Sequence, residues 1–327
     1  MEQAACPLAS RYARVMAPPI LAIVGATATG KSRLAMALAG ELGGEIVNAD
    51  ALQVYRGFDI GTAKPTPAER ARVPHHLIDV LDPHERYSAG EFARRATEAI
   101  AGIEARGKVP IVVGGSGLYL RALLSGISPI PAGDPAIRAL LRARLAVEGL
   151  PALAAELARA DPETAARLAP GDTQRVLRAL EVGLATGRPL AAWIARQPFG
   201  NQRIPAVSVG LTLPRSLLYD AIEGRVARMV EQGWVAEVTG LLARGLDPDL
   251  PAFQAIGYRQ LALQVRGEQT LQQAIRETIQ ATRRFAKRQE TWFRKEPDVT
   301  WFPAQDLEPR VPRVLEHVRR SFGRANA

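Results

Sequence analysis

Eight residues, Gly25-Ala26-Thr27-Ala28-Thr29-Gly30-Lys31-Ser32, carry the spacing Gly-x4-Gly-Lys-Ser, which suits one kind of chemistry: holding a diphosphate or triphosphate. Glycines let consecutive backbone N–H groups turn inward around an anion, and the positive end of a following helix points to the same place. Lys31 adds a point charge, and the Ser32 hydroxyl is of the type that ligates a Mg2+ bridging phosphate oxygens. A carboxylate, Asp50, closes the next apolar run, Glu45-Ile46-Val47-Asn48-Ala49. In a parallel α/β sheet ligands sit beyond the carboxyl ends of the strands, so Asp50 is expected on the same rim as the phosphate loop. The plainer alternative is a turn or helix-capping aspartate.

A loop of this kind works only between a strand and a helix. Ile20 to Val24 is a continuous apolar run, and Leu34, Leu38 and Leu42 recur at helical spacing after Ser32. Ser88-Ala89-Gly90-Glu91 has capping-box spacing and opens a helix to about Arg106, with Phe92, Ala96, Ala99, Ile100 and Ile103 on its inner face. Lys108 to Val113 reads as another buried strand, and it runs into Gly114-Gly115-Ser116-Gly117, a second glycine-rich turn on the expected rim. A nucleotide hydrolase usually places an acid where Gly114 stands, so the loop reads as serving other chemistry. Ala206 to Leu213 reads as the last strand. The class is α/β with a parallel sheet.

Between Pro129 and about Pro198 β-rich runs vanish and Ala, Leu and Arg dominate, punctuated by helix breakers. Residues 129–200 therefore read as a small helical insertion between two parts of the core, 18–128 and 201–303. An extension over 1–17, expected to be disordered, and a tail over 304–327 flank them. Asp172 is an N-cap candidate that places Gln174 and Arg178 on one helix face, with Arg175 beside them. No apolar run approaches the roughly 20 residues that cross a bilayer, and residues 1–17 lack a signal-peptide core, with Met16 an alternative start. The single cysteine, Cys6, excludes an internal disulfide framework, and a reducing, cytoplasmic setting is expected. The pair His75-His76 has no further ligand at metal spacing and reads as shaping a loop.

The chain of 327 residues carries 42 basic and 33 acidic side chains, a net charge of +9, which favours a polyanionic partner or simply a solubilising surface. Distribution favours the former. From Arg276 to Lys295, Arg276, Arg283, Arg284, Lys287, Arg288, Arg294 and Lys295 outnumber Glu277 and Glu290, and Phe285, Trp292 and Phe293 interleave them. An amphipathic helix that buries its aromatic residues is the structural alternative, and both readings are compatible. At this point an ATP-dependent P-loop kinase of a small metabolite and a noncatalytic RNA-binding protein both stay open.

Eight stretches, in order, resemble the tRNA dimethylallyltransferases: Gly25 to Ser32, Asp50 to Tyr55, Ile60 to Pro65, Pro74 to Asp79, Gly114 to Tyr119, Gln174 to Arg178, Gly257 to Arg259 and Lys287 to Arg294. The stretches run from Gly25 to Arg294, and the resemblance covers roughly Pro18 to Phe302. The resemblance implies a P-loop NTPase-like parallel sheet core with an all-helical insertion that grips the anticodon arm of tRNA. It implies transfer of the dimethylallyl group from dimethylallyl diphosphate to N6 of adenosine 37, beside the anticodon, through a channel that the two substrates enter from opposite mouths. Mg2+ at Ser32, a monomer without an obligate protein partner, and no membrane association belong to the same expectation.

The diphosphate would then be that of the prenyl donor, which accounts for Gly114. On this reading the N–H groups of residues 27 to 32, Lys31 and, by family position, Arg225 face the leaving diphosphate, and Asp50 takes the proton of the attacking amine. Contacts to tRNA are implied for Asp50, Ala51, Leu52, Gln53, Ser116, Arg138, Gln174, Arg175, Val176, Leu177, Arg178, Gln254, Gly257, Tyr258, Arg259, Lys287, Arg288, Gln289, Thr291, Trp292 and Arg294. The family usually has Pro at Ala26, Ser at Thr29 and Ala51, and Thr at Ser116. Thr29 and Ser116 keep a hydroxyl, whereas Ala51 loses one.

Overall fold

The computed structural model describes residues 20–196 and 204–325, so the expected extension over 1–17 lies outside the described residues. The chain divides into two compact units, Met1–Leu124 with Ile204–Ala327, and Ser125–Arg203.

In the first unit six strands form one sheet: β1 (Ile20–Gly25), β2 (Gly44–Asn48), β3 (His75–His76), β4 (Val109–Val113), β5 (Ala206–Thr212) and β6 (Val299–Pro303), in the order β3-β2-β4-β1-β5-β6. Every pair is parallel, with Leu21 opposite both Ile111 and Val207. Strands buried on both faces read as unbroken apolar runs, and β1 is buried at all six positions. From β1 the chain passes through helix α1 (Lys31–Leu42) to β2 on one side, whereas from β4 it runs on to β5 on the other. With right-handed crossovers these neighbours send their exits over opposite faces, which opens a crevice between the ends of β1 and β4.

Two strands go beyond the sequence reading. β3 is only His75–His76, too short to show a period: His75 Nδ1 lies 2.7 Å from the Val73 carbonyl of its own turn, and His76 Nε2 lies 2.7 Å from Glu45 of the neighbouring strand β2. β6 lies beyond the segment read as the last strand. The tail expected over 304–327 is also corrected. After helices α2 (Pro67–Arg72) to α12, described below, α13 (Val311–Ala325) buries Val314, Leu315 and Val318 in the cluster that contains Leu34 and Leu38 of α1 and Leu21, Ile111 and Val209 of the sheet. Spacing of three and four apolar residues drives this packing.

The rest of the first unit comprises α3 (Ala89–Ala105), α4 (Gly117–Ser125), α9 (Arg215–Glu231), α10 (Trp234–Ala243), α11 (Tyr258–Val265) and α12 (Leu271–Phe293). Ser88 caps α3 by accepting from Glu91 N, while the Glu91 carboxylate turns to Arg94 and Arg95. Trp234, Phe58, Phe253 and Tyr258 form a second core that fixes the loop 57–64. Glu237 accepts from the N–H groups of Asp59 and Ile60 at 3.0 and 2.8 Å and from the Tyr258 hydroxyl at 2.6 Å, and that hydroxyl in turn accepts from Gly61 N. The Trp234 indole packs directly on Gly61 and Gly257, where a Cβ would come within 2.2 and 2.0 Å of it.

The second unit holds α5 (Pro135–Ala160), broken at Gly149 with φ 78°, and α6 (Pro162–Arg167), α7 (Thr173–Thr186) and α8 (Leu190–Arg196). Its core is Leu141, Leu153, Leu157, Val176, Ala179 and Leu180. Asp161 is buried as the cap of α6 and also accepts from Ala191 N, and Asp172 caps α7 by accepting from Arg175 N.

Gly257 stands at φ 97° against the Trp234 ring. Gly257→Ala is therefore expected to cost about 2–4 kcal/mol, read as a lower midpoint in urea denaturation with an unchanged slope.

Candidate active site

The phosphate loop follows directly from β1. Gly25 has φ 138° and a Cβ there would lie 2.6 Å from the Leu211 carbonyl oxygen, so only glycine lets β1 end this close to β5. Ala28 and Gly30 both take left-handed φ, 64° and 88°, and alternation of this kind turns successive N–H groups toward one point. An alanine held there costs about 1–3 kcal/mol, the sort of strain that collects at functional sites. Thr29 Oγ1 donates to the Ala26 carbonyl at 2.9 Å, which closes the turn. Lys31 and Ser32 open α1, where first-turn N–H groups have no intrahelical acceptor.

Two cations and one carboxylate converge on this loop. Lys31 Nζ donates to the Ala26 carbonyl at 2.6 Å, and Arg225 of α9 donates from Nη1 to Thr27 Oγ1 at 3.2 Å. Burial pushes Lys31 down to about 7, and the charge of Arg225 pushes the same way against the pull of Asp50. Burial likewise lowers Arg225, again opposed by Asp50. Arg225 is thus a packed group and no solvated helix arginine. The charge of Asp50 acts on both cations, so the carboxylate shares the rim with the loop. Asp50 Oδ1 accepts from Leu52 N at 2.8 Å and Gln53 N at 3.4 Å, so the turn-capping role is real as well. Its Oδ2 has no protein hydrogen bond among the described residues. Gln53 is held in turn, donating to the carbonyls of Thr62 and Ala63 at 3.0 and 3.1 Å.

The second glycine turn comes against this loop. A Cβ on Gly114 would lie 2.2 Å from the Ala49 carbonyl oxygen, so an acid cannot stand there without moving the end of β2. Gln289 of α12 bridges the two turns: its Oε1 accepts from Thr27 N at 2.8 Å and its Nε2 donates to the Gly115 carbonyl at 2.9 Å. One of the donors expected among residues 27 to 32 is therefore already used. Gly117 carries the Trp292 ring, which would lie 2.2 Å from a Cβ, and the Arg121 guanidinium sits 4.5 Å from that ring's centroid.

A family model described as IPP transferase matches residues 53–296, most of the chain. The chain belongs to the IPP transferase family. A relative from Halorhodospira halophila, named tRNA dimethylallyltransferase, is 50% identical over 301 residues, which are 90% of this chain and 96% of the relative. Another of that name, from Syntrophobacter fumaroxidans, is 48% identical over 297 residues, 91% of this chain and 87% of the relative. Among solved structures, the tRNA isopentenylpyrophosphate transferase of Bacillus halodurans is 38% identical with a TM-score of 0.69, covering 94% of this chain and 98% of its own. A eukaryotic dimethylallyltransferase, solved acting on tRNA, is 28% identical with a TM-score of 0.76, covering 89% and 75%.

For an IPP transferase, the residues expected to meet RNA fall into two sets. In the first unit Gln254, Arg259, Lys287, Arg288, Thr291 and Arg294 are exposed, Ala51, Leu52, Ser116 and Trp292 are half-buried, and Gly257 is buried beneath Trp234. Tyr258 is corrected: it is fully buried with its hydroxyl committed to Glu237 and Gly61, and it serves the loop 57–64. Gln289 is also inside, at 6% exposure. Of the basic stripe, Arg283 pairs with Glu223 and lies over the Tyr219 ring, and Phe293 is core.

In the second unit Gln174 and Arg175 are exposed, whereas Val176 is corrected to a core residue and Leu177 packs against that core. Arg138 and Arg178 share one buried carboxylate, Glu181, at 2.8 and 3.0 Å, and Arg178 also donates to the Pro131 carbonyl at 2.7 Å. Glu181 was not singled out in the sequence. Its signal was an acid on the apolar face of α7, between Leu180 and Val182.

Because free Lys31 titrates near neutrality, a bound anion must draw a proton onto it at higher pH. Calorimetry with inorganic diphosphate near pH 8.5, in buffers of different ionisation enthalpy, is expected to show proton uptake of up to about one per site. Lys31→Arg, cationic at every pH, is expected to bind without that uptake.

Proposed function

We propose that the protein transfers the dimethylallyl group of dimethylallyl diphosphate to N6 of adenosine 37, the base 3′ of the anticodon in tRNA, releasing diphosphate. The observation that carries this is the meeting of Asp50 with Lys31 and Arg225 at one phosphate loop, in a chain of this family. The N6 lone pair forms the new bond to the allylic carbon as the C–O bond breaks and its electron pair leaves on diphosphate. Negative charge grows on the departing oxygen, and the N–H groups of residues 28 to 32, Lys31 and Arg225 are disposed to receive it. The amine is a weak nucleophile because its lone pair is delocalised into the ring. Asp50 Oδ2 accepts its proton as the bond forms.

Among the described residues no group of three or more His, Cys, Asp and Glu could hold a metal by itself. An exposed Ser32 at the first turn of α1 fits a Mg2+ that arrives with diphosphate and takes most of its ligands from phosphate and water. When bound, Mg2+ supplies further neutralisation of the leaving group.

The target base must leave its stack, at a cost of a few kcal/mol that contacts around it must offset. For this we assign Ala51, Leu52, Gln53 and Ser116 to the base and its neighbours. Gln254, Arg259, Lys287, Arg288, Thr291, Trp292, Arg294, Arg138, Gln174, Arg175 and Arg178 go to the rest of the anticodon arm. Gly257 supports this surface from beneath Trp234. Among the described residues no helix is long and apolar enough to cross a membrane, and we assign the enzyme to the cytoplasm as a monomer. The kinase alternative is not favoured by the relatives, and it leaves the basic face of α12 without a purpose.

Purified protein with labelled dimethylallyl diphosphate and tRNA bearing adenosine at that position is expected to transfer label, with tRNA gaining the mass of one dimethylallyl group. Absence of transfer by folded protein overturns the proposal. Asp50→Asn is expected to lower single-turnover rate on the order of 10²–10⁴-fold while leaving affinity for dimethylallyl diphosphate within a few-fold.

A further inference from the structure

We infer that Gln289 is a positioning residue for the leaving diphosphate: its side-chain amide, reaching from α12, sets the phosphate loop against the glycine turn after β4. The inference rests on the proposed prenyl transfer and deepens it. Along the inner face of α12 the neighbours of Gln289 are Ala286 and Phe293, both buried, so a polar residue stands where the helical pattern calls for an apolar one. A buried primary amide is costly unless both its groups are paired, and here both are, to Thr27 N and to the Gly115 carbonyl. Only one of the two amide orientations satisfies both partners. The flipped one would set an NH2 against an N–H and an oxygen against a carbonyl.

Both partners are backbone groups, and they belong to the two turns that flank the crevice between β1 and β4. The amide therefore fixes the separation of those turns. It also fixes the Thr27 peptide plane, and with it the direction from which residues 28 to 32 present their N–H groups. Thr27 is pinned twice, through its N–H by Gln289 and through its hydroxyl by Arg225. Room for the amide is specific as well, since a Cβ on Gly115 would lie 2.1 Å from Gln289 Nε2. Donors act on a transition state only when already aimed at the place where charge develops, so a loosened loop lowers the chemical step more than it lowers RNA affinity.

The test compares wild type with Gln289→Met, which keeps length but neither hydrogen bond, and Gln289→Glu, which keeps the acceptor for Thr27 N while losing the donor to Gly115. Amide exchange at Thr27 is read by mass spectrometry over residues 25–30, affinity for inorganic diphosphate by calorimetry, and transfer by single turnover with saturating tRNA. For Gln289→Met, Thr27 exchange is expected to quicken about tenfold, diphosphate affinity to fall about tenfold, and the transfer rate to fall tenfold or more, with KM for tRNA within about twofold. For Gln289→Glu, Thr27 protection is expected to persist while diphosphate affinity falls, because a negative charge now adjoins the loop. A folded Gln289→Met protein with wild-type Thr27 exchange and wild-type diphosphate affinity overturns the inference. If Gln289→Met does not fold, Gln289→Asn, one methylene too short to span both turns and without added charge, decides by the same two measurements, and wild-type Thr27 exchange with wild-type diphosphate affinity there overturns it. Failure of the wild type to label tRNA counts against the prenyl transfer alone, since the exchange and diphosphate measurements need no tRNA.

Discussion

Two cations, Lys31 and Arg225, are taken out of water beside a loop whose backbone N–H groups already point their positive ends inward. One carboxylate, Asp50, partly offsets them without forming a salt bridge to either among the described residues. Desolvated like charges oppose one another, and the lowered proton affinity of Lys31 records that cost. On the function proposed above, a multiply charged anion would relieve it by favouring the protonated lysine. Asp50 is placed so that its field reaches both cations, while one of its oxygens stays out of the local turn. The carboxylate and the cations thereby keep separate hydrogen-bond partners although they share one rim.

The sheet makes this possible by reversing direction. Because the exits of β1 and β4 diverge, two glycine turns come side by side, and α12 lays a single amide across them. The loop 57–64 acts in a similar way farther from the phosphate loop: Trp234 between Gly61 and Gly257, with Glu237 gathering three donors, steadies the carbonyls of Thr62 and Ala63 that hold Gln53. The site's precision comes from backbone groups held by buried side chains.

Much of this was readable in the residues. The phosphate loop announces itself through spacing, because glycine positions, lysine and serine each answer a local geometric demand, and strand ends follow from unbroken apolar runs. Other features were hidden for physical reasons. Val299–Pro303 is a five-residue strand at the sheet edge, half open to solvent, so it lacks the apolar density that marked β1. Val311, Val314, Leu315, Val318 and Phe322 do carry a helical stripe, but arginines between them lower its contrast. Tyr258 and Val176 stand beside exposed residues within their motifs. Adjacency along a helix says nothing of which one faces inward until the partners are known. Gln289 was visible as a member of a motif, but its bonds to Thr27 and Gly115 cross 262 and 174 positions of sequence, beyond any local pattern.

The carboxylate shared by Arg138 and Arg178 has an electrostatic side. Three charged groups there sum to a single positive charge, and both guanidinium groups are already immobilised by Glu181. A phosphate arriving at that spot displaces fewer condensed ions than two free arginines would, yet it meets donors whose rotamer entropy was given up on folding. On the RNA contacts proposed above, a simple tally of basic side chains would thus overstate how steeply binding by this helical unit falls as ionic strength rises.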